Sequence, residues 1–319
     1  MNEKFDVIMP VVAEDVGILT HFFDKLVEYL PMRNLVLIGN DKLRERLQTI
    51  DNKAICYLNE DKLIRYAEVR DIIARRTDGD MASIARTGWY LQQFLKMQYS
   101  FICEDEYYLV WDSDTVPLKR VEVFENGQPV FHLKTEIHEA YFKTMKTILP
   151  AISKQINHSF ISEHMLINCE KMKEMISKIE ENLNLVGKSF YEKILNAVEL
   201  EELEKSGFSE FETYGSYCTA RYPDMYLLRN WRSLRGGNKY FDNKSFGNNE
   251  MKWLAAEYDA VSFEKTVNKM YGYSVFHVRG IQRIFPFGAM RIIMNIYHVL
   301  VRGGKRCFKI LFGGWRDKG

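Results

Sequence analysis

Short apolar runs alternating with amphipathic stretches of helical length constrain this chain more than any other feature. Residues 5–12 (FDVIMPVV), 34–40 (NLVLIGN), 54–58 (AICYL) and 107–111 (YYLVW) are short and apolar throughout rather than alternating. Such runs read as strands covered on both faces, the condition of a parallel sheet. Between them, residues 18–30 (ILTHFFDKLVEYL), 62–76 and 81–97 carry helical periodicity. The pattern is that of an α/β fold with a mostly parallel sheet and flanking helices. Further along, 139–149, 162–182 and 187–205 read as helices, 208–250 as loops and short elements, and 272–278 (GYSVFHV) as a last strand.

The 319 residues suit one large domain or two smaller ones. With 46% apolar and 27% charged residues, a disordered tail and a disulfide-stapled miniprotein are excluded. The five cysteines are widely spaced and form no C-x-x-C pair, so reduced thiols in a cytoplasmic protein are expected rather than structural zinc or disulfides. The start, MNEKFDVIMP, lacks a basic region followed by an apolar one. No run of about 18 apolar residues follows either, so neither a signal peptide nor a membrane span is expected.

Directly after the 107–111 strand stands Asp112-Ser113-Asp114. In open α/β sheets, ligands bind beyond the carboxyl ends of the strands. Two close carboxylates repel, and a hard divalent cation offsets that with oxygen ligands while recruiting phosphate oxygens to its shell. A metal bridging the protein and a diphosphate is therefore expected here. The plain alternative is a turn cap at Asp112 and a solvated Asp114. A second D-x-D, Asp78-Gly79-Asp80, follows a charged helix and contains a turn glycine, so it reads as a loop.

Two chemistries use a strand followed by D-x-D. One is a phosphohydrolase of the haloacid-dehalogenase type, with Asp112 as nucleophile. It needs a further acidic pair, and the only later aspartates are Asp224, Asp242, Asp259 and Asp317, none of them close neighbours. The other is glycosyl transfer from a nucleotide-sugar. A non-catalytic nucleotide-sugar-binding protein with a degenerate site is a third reading.

Five segments resemble GT-A-fold glycosyltransferases. They are Phe5–Val12, the Gly88-Trp89-Tyr90-Leu91-Gln92-Gln93-Phe94-Leu95-Lys96 helix, Tyr107–Leu118, Ser162-Glu163-His164-Met165-Leu166, and Ser209-Glu210-Phe211-Glu212-Thr213-Tyr214-Gly215. Together they are similar to a bacterial family assigned to capsule and surface-polysaccharide synthesis. The resemblance implies a Rossmann-like GT-A domain over residues 1–283, with a helical insertion at about 162–205. It implies a transferase dependent on Mn²⁺ or Mg²⁺, a UDP-sugar as donor, and a saccharide or lipid-linked acceptor.

On that resemblance, Asp114 would ligate the metal directly and Asp112 directly or through water, with Ser113 beside the nucleotide. His277 would be the third ligand, imidazole being suited to Mn²⁺; otherwise it is a satisfied strand-end histidine. The loop from Pro10 and Val11 to Gly17 would hold the base, with Asp15 on base or ribose or capping the next helix. Arg86, Gln92 and Gln93 would reach the donor, Gly88 permitting close approach; alternatively they form a solvated face. An inverting reaction needs a general base, for which Glu163, Glu210 and Glu212 are the candidates. Tyr214, Tyr217 and Trp231 would stack on sugar rings or belong to the core. His158 and His164 are lesser acceptor-side candidates.

The end of the chain is charged differently from the rest. Residues 265–316 hold ten Lys/Arg and no Asp/Glu, and Asp317 cancels Lys318, so a net charge of +1 leaves −9 on residues 1–264. In residues 289–302, Arg291, Asn295, His298 and Arg302 form one polar stripe on an otherwise apolar helix. Lys305, Arg306, Lys309, Phe308, Leu311, Phe312 and Trp315 follow. A tail of 284–319 with a wide apolar face, basic residues and aromatics is what an interfacial helix needs on an anionic membrane. The expected location is thus peripheral, on the inner face of the cell membrane; the alternative is a helix docked on the acidic body. Nucleic acid is not expected as a partner, and a second copy of the chain stays open as one.

Overall fold

The computed structural model describes residues 4–48, 50, 53–264 and 267–312, without the side chains of 302–312. The chain forms two compact units. One comprises the residues up to Ser113 together with Val121–Trp231; the other comprises Asp114–Arg120 and the chain from Arg232 onward. They part at 231 within the span expected as one domain, and the helix expected as a tail belongs to the second.

In the first unit the apolar runs become strands β1 (Phe5–Pro10), β2 (Met32–Gly39), β3 (Ile55–Asn59) and β4 (Tyr107–Trp111), all parallel. Helices α1 (Val16–Tyr29) and α2 (Asp41–Leu47) return the chain between the first three. Helices α3 (Tyr66–Arg76), α4 (Met81–Ile84) and α5 (Thr87–Gln98) lead to β4. Both sheet faces are covered. Ile8, Val36, Ile38 and Val110 enter the large core with Val69 and Ile73 of α3 and Tyr90 and Phe94 of α5, while the alternate residues Val7, Met9, Leu35, Leu37 and Leu109 are buried too. This is the α/β architecture that unalternating strands require.

Later strands are β5 (Thr115–Pro117), β6 (Phe124–Glu125), β7 (Gln128–Leu133), β8 (His164–Asn168), β9 (Leu227–Asn230), β10 (Ser233–Leu234) and β11 (Ala260–Ser262). The main sheet runs β3-β2-β1-β4-β8, with β8 antiparallel to β4. From β1 the chain builds one side of the sheet and then returns to β4 on the other. The carboxyl ends of β1 and β4 therefore flank the point where strand order reverses. A small sheet β6-β7-β9 completes the strands of this unit. Its further helices are α6 (Glu139–Ile148), α7 (Cys169–Glu181), α8 (Phe190–Ala197), α9 (Leu200–Leu203) and α10 (Glu210–Arg221).

The second unit holds the sheet β10-β11-β5 and helices α11 (Asn248–Ala255), α12 (Arg279–Ile284) and α13 (Phe287–Phe312). An aromatic core of Tyr240, Phe241, Trp253, Tyr258 and Phe276 surrounds Phe287. The Glu257 carboxylate accepts from the Gly288 amide at 2.9 Å, placing negative charge on the amino end of α13.

Four expectations need correction. Residues 162–182 are not one helix: His164–Asn168 is β8, because these five residues, apolar at Met165, Leu166 and Ile167, pair with β4 before the helical periodicity begins. Asn168 then caps α7, its Oδ1 accepting from the Lys171 amide at 3.1 Å. Residues 208–250 contain the 12-residue α10, whose Ser209 Oγ accepts from the Glu212 amide. Residues 273–277 form a 3-10 turn rather than a strand, entered through Gly272 at φ +77°. The helix expected over 81–97 breaks between Ile84 and Thr87, where the Thr87 hydroxyl donates to the Ile84 carbonyl at 2.7 Å. Asp78-Gly79-Asp80 is a turn as expected, with Asp78 at φ +49° and Asp80 Oδ2 accepting from the Ser83 amide to cap α4.

Candidate functional site

The fourth strand ends in Trp111, fully buried, so the chain emerges from the core at Asp112. Lys96, on the last turn of α5, lies beneath it. Its ammonium is 2.8 Å from Asp112 Oδ1 and 2.8 Å from Glu210 Oε1. The Lys96 side chain is only 5% exposed, against 34% for Asp112. Burial alone would lower the Lys96 ammonium, but the Asp112 and Glu210 carboxylates outweigh it and hold it above its ordinary value. One positive and two negative charges leave this cluster at −1. A single ammonium also uses only part of a carboxylate's acceptor capacity. The cluster thus fits a cation better than an anion.

Glu163 lies across the ladder from this turn. The Asp112 amide donates to its carbonyl at 2.9 Å. Glu163 has φ +63°, a left-handed conformation that a non-glycine residue holds only when its surroundings fix it. Those surroundings are the Lys134 ammonium at 2.6 Å from Oε1 and Trp231 Nε1 at 3.2 Å from Oε2. The Trp231 ring packs against His132 and His164. His164 Nδ1 faces the Ser162 carbonyl at 2.8 Å, so it carries the proton, and Nε2 accepts from His132 Nδ1 at 2.8 Å. Burial, with His132 and Lys134 adding to it, pushes the His164 imidazole well below its usual range and keeps it neutral.

Glu212 is spoken for by the fold. Its Oε2 accepts from Ser159 Oγ and the Phe160 amide, both at 3.0 Å, and Oε1 faces the Lys154 ammonium at 2.5 Å. Gln93 is likewise internal: it accepts from the Glu210 amide at 3.1 Å and donates to the Trp89 carbonyl at 3.2 Å. Gln92 on the same helix is half-buried. Arg86 precedes Lys96 by ten residues, about 15 Å along a helical path, so α5 does not bring it to Asp112. Its guanidinium stacks 4.4 Å over Trp89, and Nε is buried with no hydrogen-bond partner. Tyr214 and Tyr217 are core residues, 0% and 1% exposed, and Trp231 is 8% exposed; burial keeps the two tyrosines from stacking on a sugar. His158 is exposed.

The loop after β1 starts at Pro10 and Val11. The Val11 amide donates to the Ile38 carbonyl at 2.9 Å. A side chain on Gly39 would sit 2.6 Å from the Val11 carbonyl, so glycine lets the two strand ends close up. Asp15 stands at the amino end of α1 but makes no capping bond with its carboxylate.

The unit boundary falls inside the Asp-Ser-Asp turn: Asp112 and Ser113 close one segment, and Asp114 opens the next. Within the second unit, Asp114 Oδ1 accepts from Thr115 Oγ1 at 3.1 Å, and its carbonyl accepts from the Phe263 amide at 2.8 Å. His277 in the same unit has Nδ1 3.3 Å from Glu250 Oε1, while its Nε2 is buried with no partner. A ring fixed by a carboxylate on one nitrogen with the other left over suits a metal ligand. Among the described residues, no three His, Cys, Asp or Glu side chains are gathered around one point.

Lys96, Lys134 and His132 escaped the sequence reading. A lysine in a helix reads as a solvated face, and only the strand order reveals that α5 ends under β4.

Similar solved structures include mouse xyloside xylosyltransferase 1 in its apo form, at 13% identity over 73% of this chain and 87% of that one, with a TM-score of 0.39. The galactosyltransferase LgtC, in complex with donor and acceptor sugar analogues, matches at 9% identity over 89% and 98%, with a TM-score of 0.40. The glycosyltransferase GlyE of Streptococcus pneumoniae TIGR4 matches at 10% over 94% and 64%, with a TM-score of 0.34. No curated protein matches in sequence. A model described as a family of unknown function (DUF6492) matches residues 22–276. That span is most of the sequence, and the chain belongs to this family.

Proposed function

We propose that this protein transfers a sugar from a nucleotide-diphosphate donor, a UDP-sugar first among them, to a saccharide or lipid-linked acceptor. The carrying observation is Asp112 at the carboxyl end of β4, beside the switch in strand order, seated on an ammonium that it shares with Glu210. A cluster of net negative charge at that edge favours a divalent cation. Asp112 would hold Mn²⁺ or Mg²⁺ at that edge; the resemblance offers Asp114 and His277, both in the second unit, as further candidate ligands. When bound, the ion supplies Lewis-acid stabilisation to a departing diphosphate. The Pro10–Asp15 loop at the neighbouring strand end is the place for the nucleotide base. The resemblance to capsule and surface-polysaccharide transferases supports a bacterial polysaccharide as the acceptor class.

Of the three glutamates, Glu163 fits a role at the reacting centre best. It carries the strained backbone directly beside Asp112, whose amide donates to its carbonyl, whereas Glu210 is tied up on Lys96 and Glu212 on Ser159, Phe160 and Lys154. The test is a donor panel assayed with Mn²⁺ for Asp112→Ala and Asp114→Ala. Turnover should fall by at least about 10²-fold in each, as when a transition-state charge stabiliser is lost. Nucleotide-sugars should also raise the melting temperature of the parent chain only with Mn²⁺ present. Undiminished turnover in the double variant would refute the metal site. An aspartyl-phosphate trapped on Asp112 would replace transfer with phosphate hydrolysis.

A further inference from the structure

The last helix docks by its polar stripe and leaves its apolar face outside. Asn295 Oδ1 accepts from Lys239 Nζ at 3.0 Å, and His298 Nδ1 accepts from the Tyr271 amide at 3.0 Å. Phe287, Met290 and Met294 are buried along the same side. Arg302, at the end of the stripe, lies outside the described side chains, as do Lys305, Arg306, Phe308, Lys309, Leu311 and Phe312; Trp315 lies beyond the described residues. The other face presents Ile292, Ile293, Ile296, Val299 and Leu300, each between 47% and 67% exposed. Their spacing of i, i+1, i+4, i+7 and i+8 is one continuous helical stripe. Just before it, Ile284 is 73% and Phe285 41% exposed, and Arg279 and Arg283 are exposed on α12.

An apolar face of this kind calls for an occupant. Charge selects among the candidates. Ten basic and no acidic residues lie between 265 and 316. A second copy meeting this face about a two-fold axis would bring the two basic segments together, since a two-fold contact uses the same patch twice. An anionic lipid surface offers both the apolar layer and the opposite charge. No helix among the described residues is long and apolar enough to cross a membrane, so the mode is flat adsorption.

We propose that α13 lies in the plane of an anionic bilayer surface, with Ile292, Ile293, Ile296, Val299 and Leu300 among the acyl chains. This stands independently of the sugar-transfer reading. The experiment is sedimentation of the full chain with phosphatidylcholine vesicles, with and without phosphatidylglycerol. The chain should pellet with the anionic vesicles at least about tenfold more strongly, and less so at high salt. Ile292→Ser combined with Ile296→Ser and Val299→Ser should cut vesicle binding about tenfold or more, with an unchanged melting temperature because these positions are exposed. Arg279→Gln with Arg283→Gln should weaken binding to the anionic vesicles alone. A chain that stays in the supernatant with both vesicle types overturns the proposal. So does a concentration-dependent dimer that the serine variant dissolves, which would hand the face to a second copy.

Discussion

Lys96 Nζ and Asp112 Oδ1 are 2.8 Å apart, and the same ammonium meets Glu210 Oε1 at 2.8 Å on its buried side. One cation thus joins α5, the end of β4 and the start of α10. Removing it leaves Glu210, 4% exposed, as an uncompensated buried charge. Lys96→Met should therefore destabilise the chain by about 3–5 kcal/mol, the usual cost of breaking a buried pair from one side. Adding Glu210→Gln should return part of that loss, since the orphaned charge goes with it. Urea unfolding of the two single variants and the double variant measures the coupling. Additive losses would mean that the pair is not a unit.

Glu163 and Glu212 separate structure from chemistry. Glu212 Oε2 holds the Ser159 hydroxyl and the Phe160 amide. Glu212→Ala should cost about 2–4 kcal/mol, because two buried donors and Lys154 lose their acceptor. Glu163→Gln keeps an acceptor for Trp231 Nε1 and for Lys134 but removes the charge opposite that ammonium, and should cost about 1–3 kcal/mol. Its sugar-transfer turnover should nevertheless fall by about 10²–10⁴-fold if its carboxylate takes the acceptor proton. Parallel melting curves and turnover numbers decide; a silent Glu163→Gln would move the base elsewhere.

How far the sequence carried this fold depended on whether a segment's own pattern matched its neighbours' demands. Strands β1, β2 and β4 were legible because burial on both faces leaves their central residues apolar: Val7–Met9, Leu35–Ile38 and Leu109–Trp111. Strand β8 was not, since His164–Asn168 runs straight into α7 with no turn residue between. Helix α10 did carry a signal: Ser209 and Glu212 have the spacing of a capping box, Ser-x-x-Glu. Gly215 and the aromatic residues around it disguised it as a loop. Asp112 could be picked out because its motif is local. Lys96, Lys134 and His132 could not, because each reaches the site only through the pairing of distant segments.

His164 sets an acid limit on stability. Its folded imidazole is held well below the ordinary value by burial, His132 and Lys134, while the unfolded chain titrates near 6.5. Below about pH 6.5 the unfolded state binds a proton that the folded state refuses, so stability falls as pH falls. The slope is about 1.4 kcal/mol per pH unit for one proton. It continues down to the depressed folded value. Unfolding free energies between neutral and mildly acid pH should show this loss, and His164→Gln should flatten it. An unchanged slope in that variant would assign the titration to another group.

Two glycines in the segments that carry the family resemblance should behave in opposite ways. A Cβ on Gly215 would stand 2.3–2.5 Å from the Phe160 ring, which is fully buried and cannot yield. Gly215→Ala should cost about 1–3 kcal/mol by overpacking. A Cβ on Gly88 would meet nothing within 4 Å, and Gly88 is exposed on the first turn of α5. Gly88→Ala should stabilise by up to about 1 kcal/mol, because alanine loses less backbone freedom in a helix. Gly88 also precedes Lys96 by eight residues, about 12 Å along the helix. A donor bound at Asp112 would not feel the new methyl, and its KM should stay the same. A tenfold rise in KM would instead bring the donor to the amino end of α5, beside Arg86 and its buried, unpartnered Nε.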